Sequence, residues 1–436
     1  MAASRFDVLI IGGGQAGIPL AYALASAGRT VALAERKYLG GSCVNFGCTP
    51  TKAAIASARV AHLARRAKDF GLRIPTVEVD FAAVIERARG IALESRAGLD
   101  RGFAKTENPC LLRGHARLLG TGFRVQVGSE IVTADQVVLN TGTRSLIPPI
   151  RGLAERPYLT SENWLNRTEL PEHLAMIGGG YIGLEMGQFY RRMGSRVTVW
   201  QHGARILDNE DEEISRALQG FLEAEGIEFR LNVNIDSVEQ LGGALPFVAV
   251  GRLPNSADLG LESAGVECDS KGFVKVDPRL ATNVPGIWAA GDLRGGPMFT
   301  HTAWDDYRIL LSQMTGDGAR TTDRIVPYAV FTDPELGCVG MSESAAREQG
   351  LKYHVKRFEM KKNGKARELG EPEGFIKVLL EDGSDKLLGA AILSTDAAEL
   401  VHLYVGLMNA GASSHAIRDA VYIHPTLAEA VQSAVT

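Results

Sequence analysis

Two cysteines in the segment GGSCVNFGCTPTK (40–52) have the residue type and spacing for redox chemistry. Cys43 and Cys48 are five residues apart, and five residues of a regular helix rise about 7.5 Å. A disulfide needs Cα atoms roughly 4.4 to 6.8 Å apart, so the backbone between these two must bend. Gly47 permits such a bend, and Pro50 fixes the chain beyond it.

A structural staple, a zinc clip and a working redox pair are the three roles open to these cysteines. A disulfide across so short a loop would stabilise the fold only weakly. Zinc clips space their cysteines by about two to four residues and need a second ligand pair, which does not occur near this segment. What remains is a reversible dithiol, and the sequence predicts no metal site.

Two segments repeat one pattern of strand, glycine-rich turn, helix and second strand. They are FDVLIIGGGQAGIPLAYALASAGRTVALAER (6–36) and LAMIGGGYIGLEMGQFYRRMGSRVTVWQH (174–202). Both contain G-x-G-x-x-G, whose glycines allow a tight turn, close approach of a pyrophosphate and close helix packing. The sequence therefore predicts two dinucleotide sites, with motif glycines Gly12, Gly14 and Gly17 in the first and Gly178, Gly180 and Gly183 in the second.

The residue that ends the second strand of each unit predicts which nucleotide binds there. Glu35 stands eighteen residues after Gly17 and suits a free ribose hydroxyl. The equivalent residue of the second unit is Gln201, which would not repel a 2′-phosphate, and Arg205 follows a turn later. The second site therefore favours NADPH; alternatively, Arg205 is only solvated and either nicotinamide binds.

Composition and charge exclude several classes of protein. The 436 residues carry a net charge of −4 and no long basic run, so neither nucleic acid nor an anionic membrane is an expected partner. The first apolar run stops at three glycines and is too short for a membrane span. Five cysteines in so long a chain do not form a secreted disulfide framework, and we expect a soluble, cytoplasmic protein.

Later segments carry a resemblance to a known family. The Cys-x4-Cys pair is preceded by Gly-Gly, followed by Pro-x-Lys, and comes after a βαβ unit of the FAD-binding type. Further matching segments are VVLNTGT (137–143), VAVGRLPN (248–255), GIWAAGDL (286–293), VFTDPELGCVG (330–340) and YIHPTLAEAV (422–431). Along nearly its whole length the chain resembles the flavoprotein disulfide reductases, which include dihydrolipoamide dehydrogenase, glutathione reductase and mercuric reductase.

The resemblance implies a route for electrons from NAD(P)H through FAD to a Cys43–Cys48 disulfide. Cys48 would face the flavin and Cys43 the substrate. Lys52 would lie beside the flavin and pair with Glu185, unless it is merely a surface lysine. The other implied cofactor contacts are Ala116, Gly142, Asp292 and Thr300 for FAD, and Tyr181 and Gly251 for the nicotinamide nucleotide.

The family also uses a His-Glu pair from the partner subunit as the base, which here matches His424 and Glu429. This implies a homodimer. The same residues have a plainer interpretation, because Thr426-x-x-Glu429 before an apolar helix is a capping box. In that case His424 would only be an extended residue before Pro425.

We expect an α/β fold with two Rossmann-like dinucleotide-binding domains and a C-terminal α+β dimerisation domain. The expected boundaries are 1–150 and 253–322 for FAD, 151–252 for NAD(P)H, and 323–436 for dimerisation. The second domain is shortened near residues 240–246, where GGAL replaces the family's β-meander. Either this deletion is real or residues are missing from the numbering; a real deletion would remove strands that cover one side of the NADPH site.

The substrate signals differ from those of any one family member. Gln15 and Ala16 replace the serine expected for glutathione binding, and FTHTAWDDYRIL (299–310) is most similar to mercuric-reductase-like members. The chain ends EAVQSAVT, without the vicinal cysteines of a true mercuric reductase. We expect an enzyme that reduces a small thiol-disulfide or soft-metal substrate. The alternatives are a dihydrolipoamide dehydrogenase, a diaphorase or metal-ion reductase in which flavin reacts directly, and a non-enzymatic redox sensor.

Overall fold

A computed structural model describes residues 4–436, which form nineteen strands and twelve α-helices. The strands are β1 Ser4–Ile11, β2 Val31–Glu35, β3 Cys110–Arg113, β4 Ala116–Leu118, β5 Arg124–Val127, β6 Glu130–Leu139, β7 Thr143–Ser145, β8 Leu159–Thr160, β9 His173–Ile177, β10 Arg196–Trp200, β11 Ile227–Arg230, β12 Leu245–Val248, β13 Arg252–Pro254, β14 Ile287–Ala289, β15 Tyr328–Val330, β16 Glu335–Gly340, β17 Tyr353–Glu359, β18 Phe375–Glu381 and β19 Leu387–Ser394. The helices are α1 Gly17–Ser26, α2 Gly41–Asn45, α3 Cys48–Arg65, α4 Phe81–Ala104, α5 Tyr181–Met193, α6 Glu212–Ala224, α7 Thr300–Thr315, α8 Glu343–Glu348, α9 Gly364–Glu368, α10 Ala397–Asn409, α11 His415–Arg418 and α12 Ala428–Ser433.

The first sheet has the order β3-β2-β1-β6-β5-β4, and β14 pairs with β6. The second half of its central strand β1, residues 8–11, is apolar without interruption because both faces of the sheet are covered there. Val8 and Ile10 belong to one buried cluster, whereas Leu9 and Ile11 belong to another. After the second unit the chain returns to the first sheet, where β14 pairs in parallel with β6.

The second sheet has the order β11-β10-β9-β12-β8, and its neighbouring strands are all parallel. Between β11 and β12 the chain forms a 3₁₀ turn at Val238–Leu241, and no strand lies in that described segment. Strand β12 nevertheless pairs with β9 from Leu245 to Val248. The short segment therefore leaves the parallel sheet continuous beside the second glycine-rich turn.

The third sheet, β15-β16-β19-β18-β17, is antiparallel, and α10 packs against β16 and β19. Two parallel βαβ units followed by an antiparallel α+β unit confirm the expected fold class. Within residues 4–436, no helix combines the length and the apolar character needed to cross a membrane.

A buried cation joins the second and third sheets. Lys377 on β18 is 2% exposed, and its Nζ lies 3.0 Å from Asp211, 2.6 Å from Glu213 and 2.6 Å from Glu343. These carboxylates hold the pKa of Lys377 above its ordinary range, against the effect of burial. Asp211 lies directly before α6 and Glu213 lies in its first turn. The cluster therefore fastens the start of that helix to the C-terminal unit.

Replacing Lys377 with methionine should lower the melting temperature, because Asp211 would keep a buried charge without its cation. Breaking such a buried ionic cluster costs about 3 kcal/mol. Lys365→Met is the matched control, since Lys365 forms a half-exposed pair with Glu368 that is worth roughly 0.5 kcal/mol. Equal melting temperatures for the two variants, measured by differential scanning calorimetry, would contradict the stabilising role of Lys377.

Candidate active site

The two thiols meet at a bend between two helices. Helix α2 ends at Asn45, and the carbonyl of Ser42 accepts hydrogen bonds from the backbone N–H groups of Phe46 and Gly47 at 3.1 and 2.7 Å. Helix α3 then begins at Cys48. A Cβ on Gly47 would lie 2.8 Å from the Ser42 oxygen and 3.2 Å from Cys43 Cα, so the bend requires glycine.

The surroundings of the thiols distinguish Cys48 from Cys43. Both are free, and the Sγ of Cys48 lies 3.1 Å from Thr300 Oγ1. A hydrogen bond from Cys43, another from Thr300 and the charge of Lys52 lower the pKa of Cys48 to about 6, against the effect of burial. The same hydrogen bond, together with burial, raises the pKa of Cys43. Cys48 is therefore the thiolate of the pair and Cys43 its donor.

Lys52 lies one helical turn after Cys48 and pairs with a buried carboxylate from the second unit. Its Nζ donates to Glu185 Oε2 at 2.7 Å and lies 4.4 Å from the centre of the Phe331 ring. The other carboxylate oxygen of Glu185 accepts from the backbone N–H of Phe331 at 3.0 Å. Helices α3 and α5 are thus joined beside the thiols, and the positive charge stays close to Cys48.

The first glycine-rich turn opens onto a cavity of about 1760 Å³. A Cβ on Gly17 would overlap the carbonyl oxygen of Gly12, which explains the third glycine of the motif. Glu35 accepts a hydrogen bond from Gly13 N at 2.8 Å and another from Lys37 N at 2.7 Å. Of the residues implied for FAD, the cavity is lined by Gly12, Gly14, Glu35, Lys52, Ala116, Gly142, Asp292 and Thr300.

These residues fit the requirements of an FAD site. The cavity runs continuously from Glu35, which suits a ribose, to Cys48 and Lys52, which suit the flavin end. Asp292 is largely buried, accepts from Thr143 Oγ1 at 3.1 Å and has its pKa raised by burial, as expected of a carboxyl that awaits a hydroxyl partner.

The second glycine-rich turn repeats the geometry of the first. A Cβ on Gly183 would overlap the carbonyl oxygen of Gly178, and Gly180 has open space at its Cβ position. Gln201 Oε1 accepts from Gly179 N at 3.0 Å, which is the bond that Glu35 makes in the first unit. The difference between the two sites is therefore one of charge and not of position.

The remaining residues of the predicted nicotinamide site lie at different depths. Tyr181 lines the large cavity together with Glu185, and burial raises the pKa of its hydroxyl. Gly251 follows β12, with φ at +134°. Arg205 lies outside the large cavity, where its guanidinium donates to the carbonyl of Asp208 at 2.8 Å.

His424 and Glu429 lie together, but away from the cysteines of their own chain. His424 Nδ1 is 3.0 Å from Glu429 Oε1, and the imidazole is 78% exposed. Glu429 Oε2 accepts from the backbone N–H of Thr426 at 2.8 Å. One carboxylate therefore binds the His424 imidazole and the Thr426 N–H through its two oxygens, whereas the other half of the predicted capping box is absent, since Thr426 Oγ1 donates to the carbonyl of Ile423 and α12 has no side-chain cap.

Sequence reasoning missed three contacts of this site. Trp164 donates from its indole to the carbonyl of Phe46, Phe331 covers Lys52, and Arg252 donates to Thr143 Oγ1 at 2.6 Å. Arg252 directly follows Gly251 in VAVGRLPN (248–255), a segment that the family resemblance had already identified, so this contact could have been found from the sequence. Trp164 and Phe331 reach the site from distant segments, and no local pattern identifies them.

The low pKa of Cys48 predicts an early thiolate in the fully reduced protein. Thiolate absorbance near 240 nm should show one step with a midpoint near pH 6, well below the ordinary range of a thiol. Thr300→Val should move this midpoint upward, because the thiolate loses a hydrogen-bond donor. Cys48→Ser is the control that should lack the step. A wild-type protein without thiolate below pH 8 would contradict the assignment.

Comparison with known proteins assigns the family. The model of the pyridine nucleotide-disulphide oxidoreductases matches residues 6–306, and the model of their dimerisation domain matches residues 326–435. Dihydrolipoyl dehydrogenase of Cupriavidus necator is 33% identical over 463 aligned positions, which cover 99% of this chain and 97% of that protein. These positions outnumber the 436 residues of the chain, so the alignment includes positions that this chain lacks.

For a second relative, an experimental structure is known. The probable pyridine nucleotide-disulfide oxidoreductase RclA of Escherichia coli is 32% identical over 449 positions, which cover 98% of each protein. A structure described as the Cu(II) complex of this HOCl-induced flavoprotein disulfide reductase superposes with a TM-score of 0.89, at 30% identity and 99% coverage of both chains. The chain belongs to the pyridine nucleotide-disulphide oxidoreductase family, whose members depend on FAD and use NAD(P)H.

Proposed function

We propose that this enzyme reduces a thiol-disulfide or soft-metal substrate through a Cys43–Cys48 redox disulfide. The observation that carries the proposal is the position of Cys48, whose sulfur lies 3.1 Å from Thr300 Oγ1 in the cavity onto which the first glycine-rich turn opens. Bound FAD would supply a two-electron carrier between NAD(P)H and the disulfide. The chain's own residues would hold that carrier, stabilise the thiolate and present the second thiol.

The proposed roles of the two cysteines follow from their environments. Two electrons and one proton convert the disulfide into a thiolate and a thiol. Cys48 would keep the negative charge, because Cys43, Thr300 and Lys52 all stabilise it. Cys43 would then attack the substrate as a thiolate once a base removes its proton. This assigns Cys48 to the flavin side and Cys43 to the substrate side.

The base would come from a second copy of the chain. His424 cannot serve the cysteines of its own chain from the position described above, since it is largely exposed and lies outside the large cavity. The segment that carries it is apolar and uncovered, with Val421 100% and Ile423 80% exposed. A homodimer would bury this segment, and Glu429 would hold the imidazole through its Nδ1.

NADPH would be the preferred electron donor. Gln201 makes the backbone contact that Glu35 makes in the first unit, but it brings no negative charge near a 2′-phosphate. Arg205 lies in the loop after Gln201, and its Nε is buried without a partner among the described residues. Rotation of that side chain would offer a phosphate two donors. A cytoplasmic location stays a prediction.

Anaerobic titration with NADPH, and separately with NADH, tests the route. After two electrons the wild type should show long-wavelength charge-transfer absorption between the Cys48 thiolate and oxidised flavin, and NADPH should produce it at a lower concentration than NADH. Cys48→Ser is the control that should lose this band. Direct bleaching of the wild-type flavin with no such band would exclude the dithiol from the route.

Mixed dimers test whether the base crosses between subunits. Cys43→Ser and His424→Ala homodimers should each have little disulfide reductase activity. Equal amounts of the two subunits, allowed to exchange, should recover about one quarter of wild-type turnover, because each mixed dimer contains one complete site and half of the dimers are mixed. If the base acted within its own chain, mixing would recover nothing.

A second candidate function is the reduction of a metal ion. It is favoured by the relative solved as a Cu(II) complex, both in its native form and as a mutant with serine in place of a cysteine. In this candidate the Cys43–Cys48 dithiol would be incidental, and bound FAD would directly supply the two electrons that reduce two Cu(II) ions to Cu(I). Within residues 4–436 no group of three or more metal-ligating side chains occurs. Loss of disulfide reduction with retained dye or metal reduction in Cys43→Ser would favour direct reaction at the flavin.

A further inference from the structure

The indole of Trp164 donates a hydrogen bond into the loop between the two cysteines. Its Nε1 lies 3.0 Å from the carbonyl oxygen of Phe46, and the side chain is fully buried. Trp164 begins the short 3₁₀ turn that follows β8, a strand of the second sheet, so it belongs to the second unit and not to the unit that carries the cysteines. The contact spans 118 residues of sequence.

The Phe46 carbonyl needs this donor because of the helix that follows. At the start of α3, the N–H of Thr51 donates to the carbonyl of Gly47 at 3.0 Å. The preceding bond of the same ladder would run from residue 50 to Phe46, but residue 50 is proline and has no N–H. A carbonyl that faces the protein interior without a donor is costly, and the buried indole of Trp164 supplies the missing bond.

Trp164 is itself held firmly. Asn163 Oδ1 accepts from the backbone N–H of Thr160 at 2.7 Å, which fixes the turn before the tryptophan. The Trp164 ring packs edge-on against Phe189 of α5, with 6.0 Å between ring centroids. Helix α5 also carries Glu185, so the second unit holds the cysteine segment at two points, through Phe46 and through Lys52.

We infer that Trp164 is a positioning residue for the dithiol, an inference that rests on the redox function proposed above. When two electrons cleave the Cys43–Cys48 bond, the sulfurs move apart from a bonded distance of about 2.05 Å. The peptide between Phe46 and Gly47 lies within the ring that this disulfide closes. Trp164 holds that peptide in place, so the change is confined to the cysteine side chains and Cys48 stays beside Thr300.

Trp164→Phe removes the donor while keeping an aromatic ring in the same cluster. In the FAD-loaded protein, hydride transfer from NADPH to flavin should keep its wild-type rate. The charge-transfer absorption after two electrons should fall below half, and disulfide turnover should fall roughly tenfold, the effect of losing one buried hydrogen bond. Unchanged charge-transfer absorption in Trp164→Phe would overturn the inference.

Phe189→Leu is the matched control, because it removes aromatic volume from the same cluster without removing a donor. It should keep the wild-type charge-transfer absorption, whereas an equal loss in both variants would assign the effect to packing and overturn the inference. Failure of the proposed function would look different, because the wild type itself would then lack the absorption.

The wild-type protein offers a test that needs no variant to fold. The chain has four tryptophans, and Trp304 is 45% exposed. In ¹⁵N-indole spectra the Trp164 N–H should exchange with deuterium far more slowly than that of Trp304, in both the disulfide and the dithiol states. Exchange of Trp164 as fast as that of Trp304 in either state would overturn the inference.

Discussion

Two thiols five residues apart can approach each other only where the backbone between them turns back. In this chain the turn is made at Gly47, whose missing side chain leaves room for the carbonyl of Ser42. Several surrounding elements contact the few residues on either side of this turn. Helix α3 starts directly after the bend and points Lys52 toward Glu185, and α7 brings Thr300 to Cys48. A shift of this turn would separate every group that stabilises the thiolate.

The two nucleotide-binding units show how one backbone geometry can serve two ligands. Both place a side chain at the end of their second strand against a backbone N–H of the glycine turn. Glu35 accepts from Gly13 at 2.8 Å, and Gln201, directly after β10, accepts from Gly179 at 3.0 Å. Because the contact is the same, the exchange of carboxylate for amide changes mainly the electrostatic potential beside the turn, where we propose that a ribose binds. Selectivity between nucleotides can therefore differ without any change in the turn.

Local sequence patterns predict the fold class well, because strand period, glycine spacing and helix length are set by nearby residues. They also indicate the segments that line the cavity. The contacts that fix the site, in contrast, join residues that are far apart in the sequence. Trp164 reaches Phe46, Phe331 covers Lys52, and Lys377 gathers three carboxylates, all across distances that no local pattern records. Glu429 presented a further difficulty, since the sequence offers two roles and only the structure shows that its two oxygens contact the His424 imidazole and the Thr426 N–H separately.

The cluster around Lys377 has a consequence for how a ligand enters. It ties the start of α6 to the C-terminal unit, and a second tie runs from Arg192 of α5 to Asp333 at 2.8 Å. A unit anchored at both helices is poorly suited to swing as a lid. While both ties hold, α5 keeps Glu185 against Lys52, so a ligand would have to reach the cavity without displacing the pair that fixes the positive charge beside Cys48.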